Sequence, residues 1–277
     1  MATKILVENF FSKTQFASRV LDANEEAAGH LVFRVGTGRR SIRDSWFPTS
    51  LNNAAWTRLD MVSSLPADLV VIDRGGNWAG REILLQRSTD NFAAVTTTVF
   101  TQTIPATASP AGTALTAGVL TAEGAFLKAF TSVSSRYWRI LYSAVAGARP
   151  VAVNHVLGQM WTPFNLSFPL TDEDGELLSP EIETRAGWIG RGRVVRRRAG
   201  ELIVKLDDFT TAETEVFRHI RDNFALGRPA WIVHDDTKAD RAVFAIAPQG
   251  RSGFRRQRDY AYRQGTIAWV EHQPKVF

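Results

Sequence analysis

Short β-rich segments separated by glycine, asparagine and aspartate turns run through most of this chain, and only one stretch carries a clear helical period. That pattern restricts the fold to mainly antiparallel sheet with a single helix. Residues 68–73 read as a strand bounded by Asp68 and Asp73, and Arg74-Gly-Gly-Asn77 follows as a turn. Residues 82–88 form the next apolar run, 88–91 another turn cluster, and 95–100 a run rich in β-branched residues. Residues 137–142 alternate, so Trp138, Ile140 and Tyr142 share one face and Arg139 takes the other. Residues 101–118 are rich in Thr, Ala, Ser, Pro and Gly, and Pro105 and Pro110 argue for a long surface loop.

The second half has its own plan. Residues 192–198 and 201–206 flank Ala199-Gly200 and read as a hairpin. Thr210-Thr-Ala-Glu213 fits a capping box at the start of a helix over 211–226. Phe217, Ile220 and Phe224 fall on one face of that helix, Gly227 suits its closing turn, and Pro229 forbids continuation. Strands are expected at 230–234, 241–246 and 265–271. The acidic, glycine-containing run 171–176 suits an exposed connection, and domains are expected at 1–160 and 161–277.

Composition narrows the function classes. A hydrophobic fraction of 44% over 277 residues supports a packed core. The absence of cysteine excludes disulfides, thiolate metal sites and cysteine nucleophiles. The net charge of +5 arises from 33 basic against 28 acidic residues spread along the chain, so direct nucleic-acid binding is not expected. No apolar run approaches the roughly 18–20 residues of a membrane span. Lys4 and Glu8 fall where a signal peptide would have its apolar core, so synthesis in the cytoplasm without a targeting segment is expected.

No motif supplies catalysis. None of the five histidines has metal-ligand spacing. His234-Asp-Asp236 suits a strand-end turn, or a hard cation held by its carboxylates. The glycine runs 36–41 and 75–80 read as plain loops, and no nucleophile elbow is present. The chain is therefore expected to be no enzyme and to need no cofactor and no metal. Trp138 and Trp231 lie on strands and suit the core. Trp46 and Trp78, with Asn77 beside the latter, lie in loops and are the candidate ligand-binding residues; packing beneath the loops is the other use of such indoles. Arg196, Arg197 and Arg198 are the candidate subunit-interface residues, set against an acidic edge such as 172–176 of a neighbour. A second arginine cluster lies at Arg251, Arg255, Arg256 and Arg258, and phosphate contact is the alternative use of both clusters.

Two resemblances follow from these residues. Residues 45–143 resemble a galactose-binding-like, discoidin-type jelly-roll module. The carriers are Trp56-Thr-Arg-Leu-Asp60, Leu69-Val-Val-Ile-Asp73, Ile83-Leu-Leu-Gln-Arg-Ser-Thr-Asp90 and Arg136-Tyr-Trp-Arg-Ile-Leu141. Residues 161–277 are similar to the tail-tube and distal-tail family of long-tailed bacteriophages. Here the carriers are the hairpin at 193–206, the helix at 213–224, Gly227-Arg-Pro-Ala-Trp-Ile-Val-His-Asp-Asp236, and the closing strand at 265–271. Together they imply a jelly-roll β-sandwich followed by a tail-tube-like β-sandwich with one flanking helix. They further imply a virion tail-tip or baseplate component that assembles into a homo-oligomeric ring. Its partners would be other tail proteins or a host surface glycan, with no membrane insertion. A free-standing carbohydrate-binding protein is the alternative.

Overall fold

Turn chemistry and β-branched runs give strands, and strands dominate the computed structural model: the protein is mainly β, of the sandwich type, with one α-helix among the described residues. The structure describes residues 3–12, 19–36, 45–49, 54–73, 77–144, 149–163, 166–167, 173–178, 181–183, 189–191, 195–205, 210–239, 242–246 and 264–271. Two units divide the chain, the first containing Met1–Thr162 and Ile232–Ala242, the second Pro163–Trp231 and Val243–Gln273. The C-terminal half is thus not one continuous domain. Ile232 and Val233 belong to the first unit, paired with Ile5 and Lys4.

The first unit carries β1 (Lys4–Leu6), β2 (Val20–Ala23), β3 (Ala55–Asp73), β4 (Glu82–Ser88), β5 (Thr97–Thr103), β6 (Val119–Leu120), β7 (Phe126–Tyr142), β8 (Asn154–Gly158) and β9 (Met160–Trp161). Its main sheet runs β2-β3-β7-β4-β5, with β6 on β7 and β8 on β3. All these pairings are antiparallel.

Strands β3 and β7 are long because each serves two ladders. The start of β3 pairs with β2 and the end of β7; its end pairs with β8 and the start of β7. Register breaks separate Asp60 from Leu65 and Ala67 from Leu69. Val62 sits in the first break with φ 68°. A β-branched residue rarely adopts that conformation, which costs about 1–3 kcal/mol. Such bulges bend a strand and increase its twist.

Alternation decides which side chains enter the core. Ala55, Thr57, Leu59 and Met61 are buried, whereas Trp56, Arg58 and Asp60 are half-buried on the other face. Residues 69–73 are buried without alternation, as in a strand covered on both sides. Trp46, Trp78 and Trp138 are the largest members of this core, with Tyr142, Phe10, Phe11 and Phe126 packed among them. Of the expected 101–118 surface loop, residues 101–103 belong to β5, and Leu115 ties the remainder down. Leu115 is 1% exposed, and its amide donates to the Asp236 carbonyl at 3.0 Å.

The second unit carries β10 (Leu166–Ser167), β11 (Glu173–Leu178), β12 (Glu181–Glu183), β13 (Ile189–Arg191), β14 (Val195–Lys205), α1 (Thr211–Ala225), the start of β15 (Ala230–Val233), β16 (Val243–Ile246) and β17 (Gln264–Glu271). Two sequence expectations change here. The proposed hairpin at Ala199-Gly200 is a single strand, β14, which pairs with β17 from Ala199 through Lys205 and with β11 from Val195 to Ala199. Ala-Gly lacks the Asn-Gly or Asp-Gly chemistry that forces a tight turn, and ladders on both sides hold it extended. The acidic connection is likewise a strand over Glu173–Leu178.

Helix α1 follows its sequence signals. Thr210 Oγ1 accepts the Glu213 amide at 3.2 Å and Glu213 Oε2 accepts the Thr210 amide at 2.9 Å, completing the capping box. Phe217, Ile220 and Phe224 are buried. Gly227 closes the helix at φ 70°, its amide donating to the Phe224 carbonyl.

Candidate functional site

Both tryptophans chosen from the sequence lie in the core. Trp46 is 0% exposed, and its indole donates to the Glu25 carbonyl at 3.1 Å. Trp78 is 6% exposed, donates to the Val151 carbonyl at 2.7 Å, and meets Tyr142 edge-on at 4.9 Å between ring centroids. A stacking platform needs an open ring face, and neither indole has one. Asn77 is exposed in the adjacent turn at φ 65°, with its amide donating to the Arg149 carbonyl. Arg196, Arg197 and Arg198 lie on β14, whose side chains are outside the described residues. Their backbone register is informative: Arg196 stands opposite Leu177 and Arg197 opposite Glu176 of β11 in the same chain. The acidic segment assigned to a neighbouring subunit is therefore the intrachain partner strand. The second arginine cluster, 251–258, lies outside the described residues.

The buried groups form a closed core rather than a reactive site. Tyr142 OH lies 2.9 Å from Thr57 Oγ1 and 3.0 Å from His155 Nε2, joining β3, β7 and β8. All three residues are 0% exposed. Burial pushes the His155 imidazole down to about 3 and the Tyr142 phenol up, so both are neutral. A hydroxyl beside an imidazole has the components of a nucleophile pair, but here they have no opening to a substrate. Among the described residues no group of three or more His, Cys, Asp or Glu side chains could hold a metal ion. At the end of β15, Asp235 Oδ1 accepts the Thr237 amide and hydroxyl, which makes the 234–236 segment a side-chain-capped turn.

The accessible chemistry lies on the outer face of the first unit's main sheet, and register assembles it. Asp22 stands opposite Arg58, Arg58 opposite Arg139, Arg139 opposite Gln86, and Gln86 opposite Thr98, making one rung across five strands. One neighbouring rung holds Trp56, Leu141 and Leu84; the other holds Val20, Asp60 and Tyr137. Val20 is 59% exposed and Val62, in the bulge, 52%.

Arginine planes cover the aromatic rings of this face. Arg58 lies over Trp56 at 5.1 Å, Arg136 over Tyr137 at 4.8 Å, and Arg139 over Phe92 at 4.3 Å. Two of these cations have carboxylate partners. Arg58 pairs with Asp22, and Arg136 grips Asp60 bidentately at 2.8 and 3.0 Å. The Arg136 hydrogen bonds hold the Asp60 carboxyl below its ordinary range. Arg139 instead donates through Nε and Nη2 to the neutral Gln86 Oε1, at 3.0 and 2.7 Å. Burial, then the charge of Arg58, lowers its pKa, yet a guanidinium stays charged at neutral pH.

Phe92 is placed by a turn wound around two side chains. Ser88 Oγ accepts the amides of Asp90 and Phe92, while Asp90 Oδ2 accepts those of Ala94 and Val95. Asn91 and Phe92 both adopt positive φ, 60° and 64°. The Ser88 hydroxyl hydrogen bond, with help from these amides, brings the Asp90 carboxyl to about 2. Its folded value lies below its unfolded one, so the turn's contribution is complete above about pH 4 and disappears as pH falls through about 2. Amide shifts of Ala94 and Val95 should titrate with a midpoint near 2; a midpoint near 3.8 would remove this account of the turn.

No known family model and no curated protein matches the sequence. Solved structures similar to the chain include chitosan-binding module 1 of a chitosanase/glucanase from Paenibacillus sp. IK-5, at 18% identity over 54% of this chain and 98% of that one, TM-score 0.41. A Clostridium perfringens carbohydrate-binding module in complex with GalNAc-β-1,3-galactose is similar at 11% identity over 51% and 96%, TM-score 0.39. The lectin domain of lectinolysin complexed with Lewis B antigen is similar at 14% identity over 55% and 96%, TM-score 0.40.

Proposed function

We propose that this chain is a structural component of a long-tailed phage tail tip or baseplate. Its second unit builds a ring around the tail channel, and its first unit docks a partner through the outer face of β2-β3-β7-β4-β5. The observation that carries the docking role is that face: a five-strand surface with half-buried aromatic rings, arginine planes above them and the exposed Val20 at its margin. Aromatic residues and arginine are the side chains enriched at protein interfaces. The ring-forming role is supported by the resemblance of 161–277 to tail-tube and distal-tail proteins, of whose carriers the capped helix α1 and the closing strand β17 are present, while the hairpin expected at 193–206 is one strand, β14. A binding role, rather than catalysis, is favoured because the one hydroxyl–imidazole cluster described is sealed in the core.

The mass of the purified chain by light scattering, at low and moderate salt, tests the assembly. The expected result is a closed oligomer of the 30.8 kDa chain, seen as rings by electron microscopy. A strict monomer at every concentration and salt would overturn self-assembly and favour a free-standing carbohydrate-binding protein.

A further inference from the structure

We propose that Arg139 receives a carboxylate from an acidic side chain of a protein partner that covers the outer face of the first unit's main sheet. This rests on that face being a docking surface, and it names the chemistry of the partner. Of the three arginines stacked over aromatic rings, Arg58 and Arg136 have their own carboxylates, Asp22 and Asp60. Arg139 has none among the described residues. Its Nε and Nη2 are both held by Gln86 Oε1, and its plane rests on Phe92 at 4.3 Å. Gln86 is only 8% exposed, so the grip is fixed. The guanidinium is therefore immobilised before any partner arrives, with Nη1 outside the Gln86 contact. Orienting the fork in advance reduces the ordering cost of binding.

Charge decides what covers it. On the same rung the Arg58 charge is matched by Asp22, so the unmatched charge is that of Arg139 itself, which favours an anion. Closing a partner over Arg139 without a counter-ion would strand a desolvated cation, which is strongly unfavourable. A carboxylate on Arg139 removes that cost and forms charge-assisted hydrogen bonds. The class of partner follows from the rings. Trp56, Tyr137 and Phe92 each carry an arginine over the ring, leaving less aromatic face for a sugar to stack on. Five strands at about 4.8 Å spacing give a face roughly 20 Å across, the width of a protein contact.

The test measures binding of the full chain to poly-L-glutamate and to polygalacturonate, which carries the same carboxylate on a polysaccharide. Wild type is compared with Arg139→Gln, Arg139→Lys, Trp56→Ala and Arg218→Gln, the last an exposed arginine of α1 already paired with Glu215. Melting temperatures confirm that each variant folds. The expected result is that Arg139→Gln weakens polyglutamate binding about ten-fold or more, Arg139→Lys restores part of it, and Arg218→Gln changes it by less than about two-fold. The proposal is overturned if wild type does not bind polyglutamate at low salt, or if Arg139→Gln binds it as wild type does. Equal or tighter binding of polygalacturonate with the same Arg139 dependence would assign the carboxylate to a polysaccharide and overturn the protein partner. Loss of binding in Trp56→Ala but not in Arg139→Gln would overturn the carboxylate contact and leave the docking face standing. Loss in neither variant would overturn both.

Discussion

Replacing Trp46 with alanine should destabilise the first unit by about 3–5 kcal/mol, the range for a fully buried large aromatic. The indole is 0% exposed, and its ring lies 5.8 Å from Tyr142 and 6.4 Å from His155 between centroids. Truncation would open a cavity beside the neutral Tyr142–His155–Thr57 cluster and leave the Glu25 carbonyl without its indole donor. Denaturant unfolding followed by tryptophan fluorescence reads the change. Trp56→Ala is the comparison, because Trp56 is half-buried on the outer face; it should cost less than about 1 kcal/mol. Equal losses in the two variants would contradict the division between buried core and half-buried outer face.

Gly158→Ala should be comparably damaging for a different reason. Gly158 has an ordinary φ, so the cost is spatial. A Cβ there would lie 2.1 Å from the Glu8 carbonyl oxygen and 2.9 Å from a Leu6 methyl carbon. The chain beside it is held in place by hydrogen bonds from the Val7 amide to the Gln159 carbonyl and from the Phe10 amide to the Leu157 carbonyl. A backbone oxygen tied in this way must move before a methyl group fits, which puts the cost at the upper end of the overpacking range, about 3 kcal/mol. The variant's melting temperature should fall by roughly 6–12 °C. A fall of less than about 2 °C would mean that β8 and the segment after β1 separate freely, against the register described here.

The single helix was legible because its signals are local. Thr210, Glu213, Gly227 and the Phe217–Ile220–Phe224 spacing all act within one or two turns of chain. Trp138, Ile140 and Tyr142 were legible as a core face for the same reason, since alternation is read from neighbours. Trp46 and Trp78 were misassigned because a loop position does not reveal what lies over it. Ala152 closes on Trp46 by a bridge, and the Val151 carbonyl accepts the Trp78 indole, contacts that join residues far apart in sequence. The Ala199-Gly200 hairpin failed similarly, since only β11 and β17 on either side show that β14 continues. The outer-face rung was hidden for a stronger reason. Asp22, Arg58, Gln86, Thr98 and Arg139 come together only through register across five strands. Strand alternation placed Arg139 on the outer side, and nothing within its own strand pointed to Gln86 or Phe92 as its supports.

Hydroxyl-radical footprinting of the chain, free and within the assembly that it forms with itself or with co-purifying proteins, tests the outer face most directly. Trp56, Tyr137 and Phe92, half-buried in the free chain, should lose reactivity on assembly. Unchanged reactivity at all three rings in the assembled species would contradict the assignment of that face as the first unit's contact surface.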